Sequence, residues 1–166
     1  MTQVVTHVAD VAIRKASRAD VAIVVEMIRL MVTDMAGYGG HAPAADELSW
    51  DKLTTGIAED LDDANWRFAF AQTSTAEIAG LAGARLAALG GAFAPKKTLH
   101  VSVVYVRPQF RRRHIADALL ADMLAWGASA GAVECDLNVL MNNPAKSLYE
   151  KHGFSAFEIK MVRPLT

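Results

Sequence analysis

The stretch VYVRPQFRRRHIADALL, residues 104–120, decides how this sequence folds. It begins at the end of Thr98 to Val106, a run rich in β-branched residues that predicts a strand. After Pro108, apolar residues recur at spacings of three and four, which predicts a helix. These residues are Ala116, Leu119, Leu120 and Met123. The basic turn, Arg111 to Ala116, therefore leads into this helix. At a helix N-terminus, unpaired N–H groups and the helix dipole attract phosphate.

The composition is that of one globular domain. The chain has 166 residues, of which 52% are hydrophobic and 21% charged, so a single domain is expected to span residues 1–166. The formal net charge of −1 gives no overall attraction to nucleic acid or to an acidic membrane, and neither is expected as a partner. The four arginines from Arg107 to Arg113 are therefore a local feature that suits a small anionic ligand.

The cysteine content and the N-terminal residues bear on the cellular location. Cys135 is the only cysteine, so no disulfide can form within the chain, and a free thiol suits a reducing cytosol. Residues 1–10 lack the basic segment of a secretory signal, and the most apolar long stretch, Ile78 to Pro95, is interrupted by Arg85. These features predict a cytoplasmic protein. The five histidines and one cysteine lack metal-ligand spacing, so no metal is expected.

The remaining hydrophobic periodicity predicts the element order β-α-α-β-β-β-α-β-α-β. The upstream elements are a strand at Val11 to Ala16, a helix capped by Ser17-Arg18-Ala19-Asp20, a helix at Asp46 to Asp63, and strands at Trp66 to Gln72 and Ile78 to Leu89. The downstream elements are a strand at Cys135 to Leu140, a helix at Ala145 to His152 and a closing strand at Phe154 to Val162. This order implies an α/β (α+β) fold in which helices flank a central, twisted, mixed and mostly antiparallel sheet.

A second motif, NNPAKSLYEKHGF at residues 142–154, follows the basic turn after one helix and one strand. It resembles the Asn-x-x-Ala-x-x-x-Tyr-x-x-x-Gly-Phe segment of the GCN5-related N-acetyltransferase (GNAT) family at every fixed position. The basic turn resembles that family's coenzyme A motif, in which Arg or Gln precedes two variable residues, Gly, one residue, and Gly or Ala. Arg111 and Ala116 fit that motif, whereas His114 stands at the usual glycine position. The order of elements agrees with the family from Val11 to Val162.

The resemblance implies acetyl-CoA as co-substrate and assigns residues to it. The backbone of Val104, Tyr105 and Val106 would pair with the pantetheine arm, and Asn142 would hydrogen-bond the coenzyme. The pyrophosphate would be held by the whole turn, which comprises Arg111, Arg112, Arg113, His114, Ile115 and Ala116. Tyr149 would face the sulfur and protonate the departing thiolate, whose pKa resembles that of cysteine, about 8.5. A strand N–H would stabilise the oxyanion.

The reaction also needs a general base, because an ammonium must lose a proton before it attacks. One branch of the family uses a carboxylate five residues before the motif asparagine, but Leu137 occupies that position here. Another branch uses a glutamate eleven residues before the pyrophosphate turn, and His100 occupies that position. Imidazole can take its place, because the pKa of free histidine, about 6.5, lies near neutral pH. The two-residue period of a strand predicts that His100, Ser102 and Val104 share one face.

Two functions remain open on the sequence alone. One is an enzyme that acetylates a small-molecule or peptide amine, and the other is a non-catalytic acyl-CoA sensor or interaction module. The sensor is suggested by His114, because glycine there lets the backbone approach phosphate without a Cβ. A histidine with helical φ would still offer its N–H. The acceptor is not specified by any motif, although Tyr38 and His41 lie where the family shapes its acceptor pocket, and a homodimer is common in the family.

Overall fold

The computed structural model describes residues 11–165, so the expectation about residues 1–10 lies outside the described part. The strands are β1 (Val11–Lys15), β2 (Trp66–Thr73), β3 (Ile78–Leu89), β4 (Lys96–Val106) and β5 (Glu134–Leu137). The helices are α1 (Val21–Ala36), α2 (Glu47–Asp62), α3 (Ile115–Ser129) and α4 (Lys146–Lys151). Short 3-10 helices precede α1 at Arg18–Asp20 and follow β4 at Pro108–Phe110.

Local chemistry accounts for where the 3-10 helix before α1 and the helix α2 begin. The carboxylate of Asp20 accepts a hydrogen bond from the backbone N–H of Ser17 at 2.8 Å, as the capping spacing predicts. The carboxylate of Asp46 accepts from the backbone N–H of Ser49 at 2.8 Å and caps α2. Each cap satisfies an N–H group that the helix itself leaves unpaired.

The five strands form one sheet in the order β1-β2-β3-β4-β5. The first four strands pair antiparallel, and β5 pairs parallel to β4, which confirms the mixed and mostly antiparallel sheet. The pairing of β4 with β5 is short, because it joins only Thr98–Val101 to Glu134–Leu137. Beyond Val101, β4 continues to Val106 without a paired strand on its outer side among the described residues. The two chain segments diverge there and open a cleft.

Helices cover both faces of the sheet, and each face has its own hydrophobic core. On one face, α3 packs against strand residues through Ile115, Leu119, Leu120 and Met123. On the other face, α1 and α2 pack on Phe68, Phe70 and Leu81. Gly83 is required in the second core, because a Cβ at this position would lie 2.6 Å from the Phe68 ring of the neighbouring strand.

A β-bulge at Ser102 reverses which side of the sheet β4 presents. Gly83 pairs with Val103 while Ala84 pairs with Val101, so Ser102 has no partner in β3. Val101 consequently packs in the α3 core, whereas Val103 packs in the α1–α2 core. The prediction that His100 and Val104 share a face is therefore wrong, because the alternation restarts at the bulge.

The predicted closing strand, Phe154 to Val162, is also wrong, since this segment has no regular secondary structure. Phe157, Ile159 and Met161 alternate with charged residues, which is the pattern of a strand, but Phe157 is 95% exposed. A strand requires a neighbour whose N–H and C=O groups it can pair. The edge strand β5 is only four residues long and ends at Leu137.

Candidate active site

A cleft of about 760 Å³ opens where β4 and the chain after β5 diverge, and it continues to the N-terminus of α3. Its walls also include the C-terminal part of α1 and the start of α4. Most of the residues that were predicted from the sequence to bind the coenzyme or to act in catalysis line this cleft. They are His100, Val104, Tyr105, Val106, Arg111, Arg112, His114, Ile115, Ala116 and Tyr149.

Two nominated residues, Arg113 and Asn142, are absent from the described wall of the cleft. The guanidinium of Arg113 lies over the Phe110 ring, 5.7 Å from its centroid. Asn142 is exposed, and its neighbour Asn143 lines the cleft instead. The Asn143 side-chain oxygen accepts a hydrogen bond from the Ala145 N–H at 2.9 Å, which shapes the turn before α4.

The N-terminus of α3 supplies the features of an anion site. The first backbone hydrogen bond of the helix runs from the Ala118 N–H to the His114 carbonyl at 3.1 Å. The N–H groups of Ile115, Ala116 and Asp117 precede it, so the helix provides them with no carbonyl partner. All three residues line the cleft, and the helix dipole adds positive potential there.

His114 reaches this helix start with a left-handed backbone, with φ 59° and ψ 16°. The expectation of a helical φ at His114 is therefore wrong. The left-handed region costs a residue with a Cβ about 1 kcal/mol, whereas glycine enters it freely. This requirement explains why glycine is usual at this position. The imidazole is 76% exposed, and its Nδ1 lies 3.3 Å from the Asp117 carboxylate.

The arginines from Arg107 to Arg113 have different surroundings. Arg107 donates to Glu26 of α1 at 2.7 Å and to the Ile78 carbonyl at 3.0 Å. Arg111 forms an ion pair with Asp34 of α1, and its Nε donates to the Val106 carbonyl at 3.0 Å. These two side chains tie the turn to α1. Arg112 is exposed and lines the cleft, so its charge is available to an anion that binds there.

Asp117 is a carboxylate in the first turn of α3, where its charge would oppose an anion if it were unpaired. Lys151 donates to it at 2.6 Å, and His152 Nε2 lies 3.1 Å from the same oxygen. Burial alone would raise the pKa of Asp117, but the hydrogen bonds from Lys151 and His152 outweigh it and lower that pKa. The carboxylate is thus ionised, neutralised by its partners, and fixes the end of α4 against α3.

Tyr149 of α4 points its ring into the wall of the cleft. The ring packs edge-on against Phe154 at a centroid distance of 6.0 Å and joins the α3 core. Burial raises the pKa of the Tyr149 phenol, because the phenolate would lose hydration. The hydroxyl therefore keeps its proton at neutral pH and is present there as a hydrogen-bond donor.

His100 lies at the other end of the cleft from the α3 N-terminus and on the sheet face opposite Val104. Its Nδ1 is 2.5 Å from the carboxylate oxygen of Asp136, which is its partner in β5. Sequence reasoning missed Asp136, because it examined only the next residue, Leu137. The signal that could have revealed it is the two-residue period of a strand, which places Asp136 on the opposite face from Leu137.

The wall nearest α1 is mostly apolar. It contains Met31, Met35 and Tyr38, and the carboxylate of Asp34 is already paired with Arg111. His41 is not part of the described lining. Asp34 was also not predicted, because it is one of several polar residues on the amphipathic helix α1 and belongs to no motif.

The remaining observations concern groups outside this arrangement. Burial raises the pKa of the Cys135 thiol to about 12, so it is not a thiolate nucleophile at neutral pH. No cluster of three or more His, Cys, Asp or Glu residues suited to a metal ion occurs within residues 11–165. Over the same residues, no helix has the length and apolar character needed to cross a membrane.

Comparison with known proteins places this cleft in a family context. The sequence model described as "Acetyltransferase (GNAT) family" matches residues 29–154, well over half of the chain. That match includes α3 and most of the cleft-lining residues named above. No curated protein sequence is significantly similar to the chain.

Several solved structures share the fold at low sequence identity. A predicted acetyltransferase from Clostridium acetobutylicum, solved with acetyl-CoA, is 17% identical with a TM-score of 0.76, covering 93% of this chain and 96% of that one. A mutant protein from Bacillus halodurans is 17% identical with a TM-score of 0.75, covering 93% and 99%. Glucosamine-6-phosphate N-acetyltransferase from Arabidopsis thaliana is 18% identical with a TM-score of 0.66, covering 95% and 100%.

Proposed function

Because the chain belongs to the GNAT acetyltransferase family, we propose that it transfers the acetyl group of acetyl-CoA to a primary amine. Transfer occurs by direct attack within a ternary complex. The observation that carries this proposal is the single cleft that joins the α3 N-terminus, the unpaired end of β4, and Tyr149. The Clostridium acetobutylicum protein of the same fold, solved with acetyl-CoA, supports the choice of co-substrate.

The residues of this chain fit the coenzyme in three places. The N–H groups at the start of α3 and the Arg112 guanidinium would hold the pyrophosphate. The outer edge of β4 from Val104 to Val106 has no strand beside it among the described residues, so it would pair with the amides of the pantetheine arm. Tyr149 would lie beside the sulfur.

In the transfer step, the amine nitrogen attacks the thioester carbonyl, a C–N bond forms and the C–S bond breaks. A backbone N–H near the Ser102 bulge stabilises the negative charge that develops on the carbonyl oxygen. The Tyr149 hydroxyl gives its proton to the departing thiolate, and His100 takes the proton that the amine nitrogen loses. The products are an N-acetyl amide and free coenzyme A, so no covalent intermediate with the enzyme is required.

The acceptor side of the proposal is a small-molecule or peptide amine. The similar Arabidopsis thaliana fold is that of an enzyme named for glucosamine-6-phosphate, so amino sugars belong among the acceptors tested. We also propose that the reaction takes place in the cytoplasm, because the one free cysteine suits a reducing compartment.

Calorimetry with acetyl-CoA, followed by release of free thiol against a panel of amines, tests the proposal. The panel contains polyamines, aminoglycosides, amino acids, amino sugars and peptide N-termini. Binding together with turnover of at least one amine supports the enzyme. Binding without turnover across the panel supports the alternative, a non-catalytic acyl-CoA sensor, which is motivated by the strained His114 backbone. A failure to bind acetyl-CoA contradicts both functions.

A further inference from the structure

His100 and Asp136 form a side-chain pair across the neighbouring strands β4 and β5. Parallel pairing sets His100 opposite Asp136 in the register of β4 and β5, and the side-chain atoms Nδ1 and Oδ1 are 2.5 Å apart. His100 lines the cleft, whereas Asp136 is not part of its described lining. The carboxylate therefore contacts the imidazole without itself forming part of the described wall of the cleft.

We propose that Asp136 is a positioning residue that fixes the His100 ring with its Nδ1–H toward the carboxylate. An ionised carboxylate can only accept hydrogen bonds, so the ring nitrogen that faces it must carry the proton. In the neutral imidazole the other nitrogen, Nε2, is then the acceptor. This is the state in which His100 can take a proton from an amine, so the inference rests on the proposed function.

The groups around the pair favour this assignment. On the same face of the sheet, His100 is flanked by Asp136 from β5 and by Arg85, its register partner in β3. Glu134 lies two residues before Asp136 and forms an ion pair with Lys96, so it is engaged elsewhere. Asp136 is the carboxylate within hydrogen-bond distance of His100 among the described residues.

The exposure of the two side chains separates positioning from folding. The His100 side chain is 22% exposed, which restricts its rotation, whereas that of Asp136 is 57% exposed. An ion pair with one partner this exposed contributes little to stability. Removing the Asp136 carboxylate should therefore leave the fold intact and change only the state of the imidazole.

Long-range ¹H–¹⁵N NMR of the histidine rings tests the inference without an acceptor. The wild-type protein, Asp136→Ala and Glu134→Ala are compared, and His100→Gln assigns the signal. The neutral His100 ring is expected to carry its proton on Nδ1 in the wild type and in Glu134→Ala, and to lose that preference in Asp136→Ala. A proton on Nε2 in the wild type, or the same tautomer in all three proteins, overturns the inference.

Kinetics with the best amine of the panel provide the second test. Asp136→Ala should lower kcat roughly ten-fold, as loss of a supporting hydrogen bond does at other sites, with KM for acetyl-CoA unchanged. The same substitution in a His100→Gln background should have no further effect, and Glu134→Ala should behave as wild type. Turnover with an undiminished kcat in Asp136→Ala overturns the inference but not the proposed function. Absence of turnover in the wild type refutes the proposed function, and the NMR comparison still decides the tautomer.

Discussion

Arg111, the arginine that fits the family motif, forms an ion pair with Asp34 of α1. This contact fixes the position of the basic turn. The Nε of Arg111 also donates to the Val106 carbonyl at the end of β4, so one guanidinium joins strand, turn and helix. Arg112, the next residue, lines the cleft. The two arginines therefore have separable effects on stability and on coenzyme binding.

Replacing Arg111 should affect both properties. Arg111→Gln is expected to lower the free energy of unfolding by about 0.5 to 1 kcal/mol, because it removes a partly exposed ion pair and a carbonyl partner. Coenzyme affinity should fall as well, because the turn loses its attachment to α1. Urea unfolding and calorimetry with acetyl-CoA measure the two effects. Unchanged stability would show that the contact with Asp34 does not hold the turn.

Replacing Arg112 should affect binding alone. Arg112→Gln is expected to weaken acetyl-CoA binding roughly five- to ten-fold, the order of one charge-assisted hydrogen bond, and to reduce the salt dependence of binding. The stability should stay as in the wild type. Arg113→Gln is the matched control, because Arg113 is next in sequence but does not itself line the described cleft. Equal losses in the two variants would contradict the separation.

Replacing His114 with glycine should raise both the stability of the protein and its affinity for acetyl-CoA. The left-handed φ of 59° is unfavourable for histidine, so His114→Gly should raise the free energy of unfolding by roughly 0.5 kcal/mol after the entropy cost of glycine is subtracted. Acetyl-CoA should also bind more tightly, because no Cβ stands near the turn backbone. Ala76→Gly is the control, since Ala76 has φ 65° in the turn between β2 and β3. It should be stabilised similarly without any gain in affinity.

Replacing Tyr149 should act on turnover and not on affinity. Tyr149→Phe keeps the edge-on packing against Phe154 but removes the proton donor, so kcat should fall roughly 100-fold while KM for acetyl-CoA is little changed. Parallel losses of kcat and coenzyme affinity in Tyr149→Phe would refute the acid role.

Asp20 provides a prediction on stability and pH. Hydrogen bonds from Arg14, at 2.8 and 3.0 Å, are the main cause that lowers the pKa of Asp20 to about 2. Because the folded pKa lies below the unfolded value of about 3.9, the stabilisation is present above pH 4 and is lost as the pH falls toward 2. After allowance for screening by water, it is about 1 kcal/mol.

Urea unfolding of Asp20→Asn tests this directly. The variant should be less stable than the wild type at pH 7, and the difference should shrink between pH 4 and pH 2. Asp62→Asn is the control, because Asp62 pairs with Arg18 on the exposed surface and should change stability little at either pH. A difference that persists at pH 2 would mean that Asp20 stabilises the fold by something other than its charge.

Local periodicity was sufficient to predict most of the elements. The strand at Ile78 to Leu89 has the predicted bounds, and α2, Glu47–Asp62, lies within the predicted helix at Asp46 to Asp63. Both depend on neighbours within one turn or one alternation, which the sequence displays directly. Most of the nominated site residues were likewise brought into one cleft, because the motifs place a strand end and two helix starts in a fixed order.

The features that could not be predicted depend on pairing between distant segments. The bulge at Ser102 is a mismatch between β3 and β4, and the contact of His100 with Asp136 follows from the register of β4 and β5. The alternation from Phe157 to Met161 resembles a strand, but a local pattern contains no information about a partner. The left-handed backbone at His114 arises because the turn needs that φ whatever residue occupies it.

Mass spectrometry of the amine panel with isotopically labelled acetyl-CoA tests the central claim most directly. The proposed function predicts that one or more primary amines acquire the labelled acetyl group with the wild-type protein, and far more slowly with Tyr149→Phe. Binding of acetyl-CoA without label on any amine, or equal labelling by both proteins, would contradict it.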